Sequence, residues 1–228
     1  MKFFRFLLLV ILIAVVAFII FTVFFPSPQP AADNSSTTSV LKGVDTIIDE
    51  GVYQSYFSYT YKEPLFVKYV LYHGGGPCSR AHFRFHNDTE ISMATTQDYS
   101  HSGYDEGHLA NADDFAYDCD ADEKTFRFYN CVPQTPHLNR GAWKHWESEI
   151  RKESQDDSLL IITGSIFGSQ VIGDGVYVPD YCWKVAESLS SKIIINVIIC
   201  DNTPLAQCDE ISLDVLQGKL GYTLPLAK

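Results

Sequence analysis

A chain of 228 residues has room for one membrane element and one globular domain of ordinary size. With 46% apolar and 14% aromatic residues it is too hydrophobic for a disordered chain, and its 15 Phe and 13 Tyr favour sheet over a helical bundle. The formal charge is −11; Lys2 and Arg5 come before the first acid, Asp33, so the rest carries 15 basic against 28 acidic residues, a net of −13. That balance argues against a tight, scanning DNA-binding module, which holds phosphate through many cations. It leaves room for an enzyme that meets phosphate through a metal and a few local arginines.

Lys2 and Arg5 precede Phe6–Phe25, 20 residues without one charge. At 1.5 Å rise per residue, about 20 residues cross a hydrocarbon core of roughly 30 Å. The run is longer than the h-region of a cleavable signal, about 7–15 residues, and Pro30-Ala31-Ala32 is a poor cleavage site. The sequence predicts an uncleaved signal-anchor over residues 1–25, entering the membrane through residues 6–25, with secretion after signal cleavage as the alternative. The positive flank keeps the N-terminus cytoplasmic and places the rest outside. Residues 26–40, rich in Pro, Ser, Thr, Ala and Asn, read as a flexible stalk, and residues 41–228 as the folded domain. Cys78, Cys119, Cys131, Cys182, Cys200 and Cys208 form an even set suited to an oxidising space. Of the 15 pairings that six cysteines permit, Cys200–Cys208, flanking a short polar turn, is the first expectation. No Cys-x-x-Cys supports a zinc site. Asn34 and Asn87 head glycosylation sequons.

Along the domain, Phe66–Tyr72 is β-branched and aromatic and predicts a strand that Gly74-Gly75-Gly76-Pro77 ends. A polar, acidic region follows from Asn87 to Glu123, in which Asp118, Asp120 and Asp122 imitate the start of a calcium loop without its glycine or its later Glu; an acidic, solvated loop is the plainer expectation. Phe126–Phe128 suggests another short strand. From Asn139 the period changes: Trp143, Trp146 and Ile150 recur at three and four residues, one buried face of a helix that Asn139 opens and that charged residues continue to Glu153. Ser158–Ile166, Tyr181–Val185 and Lys192–Cys200 are apolar runs expected as buried strands, and Asp209–Gly218 fits a terminal helix. Strands with interspersed helices and no regular βαβ alternation indicate an α+β domain.

Two segments carry chemistry. One is Tyr104-Asp105-Glu106-Gly107-His108-Leu109-Ala110-Asn111; the other runs from Asn130-Cys131-Val132-Pro133-Gln134 through Asn139-Arg140-Gly141-Ala142-Trp143 to Glu147. Cleaving a phosphodiester needs a base for the attacking water, a cation for the charge that builds on phosphorus, and help for the leaving group. His108 is the best base, since a neutral imidazole can take a proton near physiological pH; the rival reading is a satisfied core histidine. Asn139 offers a carboxamide oxygen, a hard ligand suited to Mg²⁺ with most of its waters retained, or else a simple helix cap. Glu147, about 12 Å along the helix axis and roughly 80° round from Asn139, is placed to orient water rather than to share a ligand shell with it, unless it is merely solvated. Arg80 is a candidate phosphate clamp through its planar fork, with Arg140 a weaker one. Asn130 holds backbone or substrate near the site, and Trp143 and Trp146 belong to the core.

The two segments together resemble the DNA/RNA non-specific endonuclease family, the ββα-metal nucleases of the secreted bacterial and endonuclease G type. Arg80-Ala81-His82-Phe83 with Asp88, Ile161-Ile162-Thr163-Gly164, and Val178-Pro179 with Tyr181-Cys182-Trp183-Lys184-Val185 extend the likeness over roughly residues 50–220. The resemblance implies a ββα-metal core with a mixed, mainly antiparallel sheet, and hydrolysis of DNA and RNA with little sequence preference, leaving 5′-phosphates. It implies His108 as base, Asn139 as ligand of Mg²⁺ (Mn²⁺ could replace it), and Glu147 orienting water. Glu106 stands where the family usually has Arg, so one phosphate-neutralising group is replaced by a carboxylate. The alternative is therefore a catalytically impaired relative that binds a polyanion or a partner. Nothing in the sequence calls for a small-molecule cofactor.

Overall fold

In a computed structural model, residues 41–227 are described; the expected signal-anchor and stalk lie outside the described residues. Among the described residues no helix is long and apolar enough to cross a membrane. The backbone of the fold is a seven-stranded sheet, in the order β1 (Thr46–Asp49), β2 (Gln54–Ser58), β3 (Glu63–Leu71), β6 (Leu159–Ile172), β7 (Val176–Ser188), β8 (Ile194–Asp201) and β9 (Cys208–Glu210). Between β3 and β6 in the chain, β4 (Asp105–His108) and β5 (Cys131–Gln134) form a separate two-stranded ribbon. Every pairing in both sheets is antiparallel, and the only parallel contact among the described residues is an isolated bridge between His86 and Arg127.

The apolar runs are continuous because the central strands are covered on both faces. Leu159, Ile161, Cys182, Ala186, Ile198 and Cys200 point into one core, which also holds Leu109, Val132, Leu138, Trp143 and Ile150. Their neighbours Leu160, Ile162, Trp183, Val185, Val197 and Ile199 point into the other, closed by Leu216 and Leu224. Successive side chains of a strand face opposite ways, so two-sided burial removes the polar half of the alternation. At Gly164, the family-like glycine of β6, a Cβ would come within 2.3 Å of the Leu65 carbonyl oxygen, so β3 and β6 pack closely only without a side chain there.

The helices are short: α1 (Thr96–Tyr99), α2 (Cys119–Lys124), α3 (Lys144–Glu153) and α4 (Leu213–Leu220). Three expectations need correction here. The acidic run is a capped helix rather than a loop: Asp118 caps α2, accepting from the backbone N–H of Asp120 and Ala121 at 2.9 and 3.3 Å, and while Asp118 and Asp120 are exposed as expected, Asp122 is buried. Phe126–Phe128 forms no strand, only the isolated bridge at Arg127 followed by a 3₁₀ turn at Phe128–Asn130. The terminal helix begins after Ser212 rather than at Asp209, because Cys208–Glu210 is held in the sheet by the Cys200↔Cys208 pairing. Cys200–Cys208 is a disulfide, as expected, and Cys78–Cys119 is the other; Cys131 and Cys182 are buried free thiols.

Candidate active site

The β4–β5 ribbon and the helix after it carry the sequence-predicted residues. His108 ends β4, paired with Cys131, and Asp105 begins it, paired with Gln134. Gly107 lets the ribbon close over Gln134, whose Cδ would lie 2.5 Å from a Cβ at that position. After β5 the chain turns directly into helix. Thr135 accepts from the Leu138 N–H at 3.3 Å and Pro136 follows it, so Thr135 is the cap and Pro136 occupies the first helical position. Asn139 therefore does not open the helix. Its N–H already bonds the Thr135 carbonyl at 2.9 Å, and it lies in a π-helical turn, Leu138–Trp143, that leads into α3. That wide turn changes the angular offset to Glu147 from the value a regular α-helix gives.

Asn139 Nδ2 donates to Asp105 Oδ2 at 3.0 Å. A carboxylate can only accept, so the amide nitrogen faces Asp105 and Oδ1 is left free to bind a cation. Arg140 Nε donates to the same carboxylate at 2.8 Å. Partial burial opposes ionisation of Asp105, but the bonds from Arg140 and Asn139 outweigh it and hold the carboxyl below its usual range. Asp105 was not singled out in the sequence, although it lies within the motif; it is the group that fixes the Asn139 carboxamide. Arg140, mostly exposed, acts on Asp105 here rather than standing free for phosphate.

His108 lies between Phe85 and Phe126, with ring centroids at 4.5 and 4.6 Å. Its Nε2 is enclosed and has no hydrogen-bond partner among the described residues, so contact with water falls to Nδ1. Burial lowers its pKa most, Arg80 and Lys184 lower it further and Asp113 opposes them, leaving it at about 3. The imidazole is neutral at any physiological pH and is a proton acceptor.

Glu147 on α3 is 6% exposed and is paired with Lys184 of β7, itself 1% exposed, with Nζ–Oε1 at 3.3 Å. Lys184 Nζ also lies 4.9 Å from the centre of the Trp143 ring. Burial drives the Glu147 carboxyl up to about 7; Lys184 and Arg151 pull it down and Asp114 adds to the rise. Lys184 thus touches Glu147 and acts electrostatically on His108, which links strand, helix and ribbon. Arg151, one turn beyond Glu147, donates to Asp114 at 2.7 Å and to Asn111 at 2.8 Å. Neither Lys184 nor Arg151 was picked out as functional. A lysine inside an apolar strand and an arginine four residues after Glu147 were the available signals.

Arg80 is close enough to His108 to influence it, yet it is already engaged, donating to Asp113 and standing 3.7 Å from Asp122. Burial pushes Asp122 up to about 6, against the pull of Arg80. Of the two tasks expected of Asn130, holding backbone or holding substrate, its contacts here are with backbone. Its Oδ1 accepts from the Ala110 N–H at 2.7 Å, and its Nδ2 donates to the carbonyls of Ala110 and Thr125 at 2.9 Å each, so it fixes the strand exit just beyond His108. Glu106 is half-buried and its carboxyl is raised by burial, against the pull of Thr96 and Arg84. Among the described residues no group of three or more His, Cys, Asp or Glu side chains could hold a metal. The available donor, a single carboxamide oxygen, fits a hard cation that keeps most of its own water.

Residues 31–223 match the model of the DNA/RNA non-specific endonuclease family. Mitochondrial endonuclease G of Bos taurus is 30% identical over 149 residues, covering 57% of this chain and 50% of that protein. A nuclease of Nostoc sp. is 30% identical over 141 residues, 54% of this chain and 51% of its own length. The chain thus spans about half the length of these curated relatives. The fold is shared with a solved structure of the EndoG/EndoGI complex, with a TM-score of 0.69 and 21% identity over 80% of this chain and 86% of that one. With the family model matched over most of its length, the chain belongs to the DNA/RNA non-specific endonuclease family.

Proposed function

We propose that the domain hydrolyses phosphodiester bonds of DNA and RNA with little sequence preference, using Mg²⁺ (Mn²⁺ as substitute) and leaving 5′-phosphates. The observation that carries this reading is the strand β4 itself: His108 ends it, and Asp105, which begins it, holds the amide nitrogen of Asn139 from the following helical turn and leaves the carboxamide oxygen free. His108 Nδ1 takes the proton of a water as that water's oxygen bonds to phosphorus, and the bond from phosphorus to the 3′ oxygen breaks. A second water protonates the departing oxygen, and ionised Glu147 is suited to orienting it. Asn139 would hold the divalent cation through its free oxygen, and the cation would supply charge neutralisation at the phosphate. Arg80 keeps guanidinium N–H groups beyond those facing Asp113 and can add one to the same phosphate.

The test is cleavage of plasmid DNA and of RNA by the full chain, with Mg²⁺ and with a chelator, beside His108→Ala. Metal-dependent cleavage lost in the variant is expected; equal, background-level cleavage in both would sink the reading. In that event the impaired, polyanion-binding alternative stands. It is favoured by Glu106 and by the acids already holding Arg80. The N-terminal segment 6–25 is proposed to tether the domain outside the cytoplasm. Two disulfides, Cys78–Cys119 and Cys200–Cys208, support an oxidising location.

A further inference from the structure

A hollow of about 710 Å³ opens beside the catalytic ribbon, lined by Tyr104, Pro136, His137, Gln170, Pro179 and Asp180 among others. Its position is set by the chain: Tyr104 directly precedes Asp105, and His137 comes two residues before Asn139. It therefore adjoins the Asp105–Asn139 end of the site. No lysine or arginine lines it and one carboxylate does, so it repels phosphate. An aromatic ring and prolines give flat apolar walls. His137, Gln170 and Asp180 make no side-chain hydrogen bond to described residues, and so present uncommitted donors and acceptors to whatever enters.

The hollow is also built in advance. Asn202, one of the lining residues, ties β5, the turn after it and β7 together: Oδ1 accepts from the Thr135 N–H at 2.8 Å, and Nδ2 donates to the carbonyls of Pro133 and Pro179 at 2.8 and 2.9 Å. Thr135 Oγ1 donates to the Thr203 carbonyl at 2.9 Å, closing the same seam. Apolar walls, a few free polar groups and a volume within the usual range describe a site for a small planar ligand.

We propose that this hollow receives an unpaired nucleobase of the substrate strand, next to the phosphate being cut, stacked on Tyr104 and hydrogen-bonded by Gln170. The proposal rests on the nuclease reading and deepens it. A base inside a duplex must unpair and unstack to enter, so single-stranded or distorted nucleic acid is the favoured substrate. Adaptable amide and imidazole groups accept any base edge, in keeping with low sequence preference.

The experiment is fluorescence anisotropy with the full chain in detergent and chelator present, which reports binding without cleavage. The probes are a labelled single-stranded oligodeoxynucleotide, the same strand with abasic sites throughout, and the perfect duplex. Wild type should hold the base-bearing strand about tenfold more tightly than the abasic strand, the scale of one base stacked on an aromatic ring. Tyr104→Ala, and separately Gln170→Ala at an exposed position that folding tolerates, should shrink that difference and leave abasic binding unchanged. Equal wild-type affinity for the two strands, or a preference for duplex, overturns the proposal. So does a base-dependent difference that survives both substitutions. A protein that cuts plasmid yet ignores bases refutes this subsite alone; one that discriminates bases yet never cuts refutes the nuclease reading and leaves the subsite.

Discussion

Lys184 can be tested through its partner's proton. With Lys184 beside it, buried Glu147 titrates near 7. In Lys184→Met the compensating charge is gone and the carboxyl holds its proton to a higher pH. At pH 5 Glu147 is protonated in both proteins, and the substitution replaces a buried ammonium with an apolar chain of similar length, which costs little. At pH 8.5 the wild-type carboxylate is ionised and paired, whereas the variant must still bind a proton. The gap of about 1.5 pH units, at 1.36 kcal/mol per unit, makes the variant about 2 kcal/mol less stable relative to wild type at pH 8.5 than at pH 5. Urea unfolding at both pH values reads this directly as a difference of differences. A penalty of equal size at the two pH values would show that the Lys184–Glu147 pair is not what orders this part of the site. Lys184→Arg, which keeps the charge, should show a smaller pH dependence than Lys184→Met.

Further outcomes follow from the structure. Because Glu147 is raised from 4.5 to about 7 while His108 is lowered to about 3, kcat/KM should fall with pH through an acid limb near 7 that belongs to Glu147. The limb should vanish in a slow Glu147→Gln variant and not follow His108. For stability the signs oppose: the raised Glu147 favours the folded state below 4.5 and loses that contribution as pH climbs to 7. The depressed His108 contributes above 6.5 and loses that contribution as pH falls toward 3. Asp105→Ala frees the Asn139 amide to rotate and should weaken Mn²⁺ binding by about 10- to 100-fold, read by paramagnetic resonance titration. Removing Cys78–Cys119, which closes 41 residues, should cost about 4 kcal/mol, and removing Cys200–Cys208, which closes 8, about 2.5 kcal/mol, both measured by denaturant unfolding of paired Ser variants.

Much of this was legible in the chain. The apolar runs at Ser158–Ile166 and Lys192–Cys200 became β6 and β8, and the Trp143–Ile150 period became the buried face of a helix. What sequence could not settle was which contact each polar group makes. Asn139 reads as a cap, a ligand or both, and only the fold shows Thr135 taking the cap and Asp105 the amide nitrogen. Asn130 sits in the motif, but only the fold shows all its polar atoms spent on backbone. β1 and β2 were missed because Thr46–Asp49 and Gln54–Ser58 are short and partly polar, and their strand state comes from pairing, β2 with β3 and β1 with β2. The terminal helix was placed too early because a helical pattern gives no warning that a disulfide holds Cys208 in the sheet.

The charge balance gains a local meaning from the site. Four cations near the ribbon each face an acid: Arg80 faces Asp113 and Asp122, Arg140 faces Asp105, Arg151 faces Asp114, and Lys184 faces Glu147. Arg84, which pulls on Glu106, donates only to the carbonyls of Ala81 and Phe83. An approaching phosphate meets pairs that already cancel, in a domain whose net charge repels it. Paired arginines can position a phosphate through hydrogen bonds, but they add little net positive potential. Within a half-buried site, where charges interact several-fold more strongly than in water, a positive charge added from outside the chain would act strongly on a phosphate. In the proposed mechanism, a cation at the free Asn139 oxygen, whose amide nitrogen Asp105 holds, would add that charge without displacing any of these pairs.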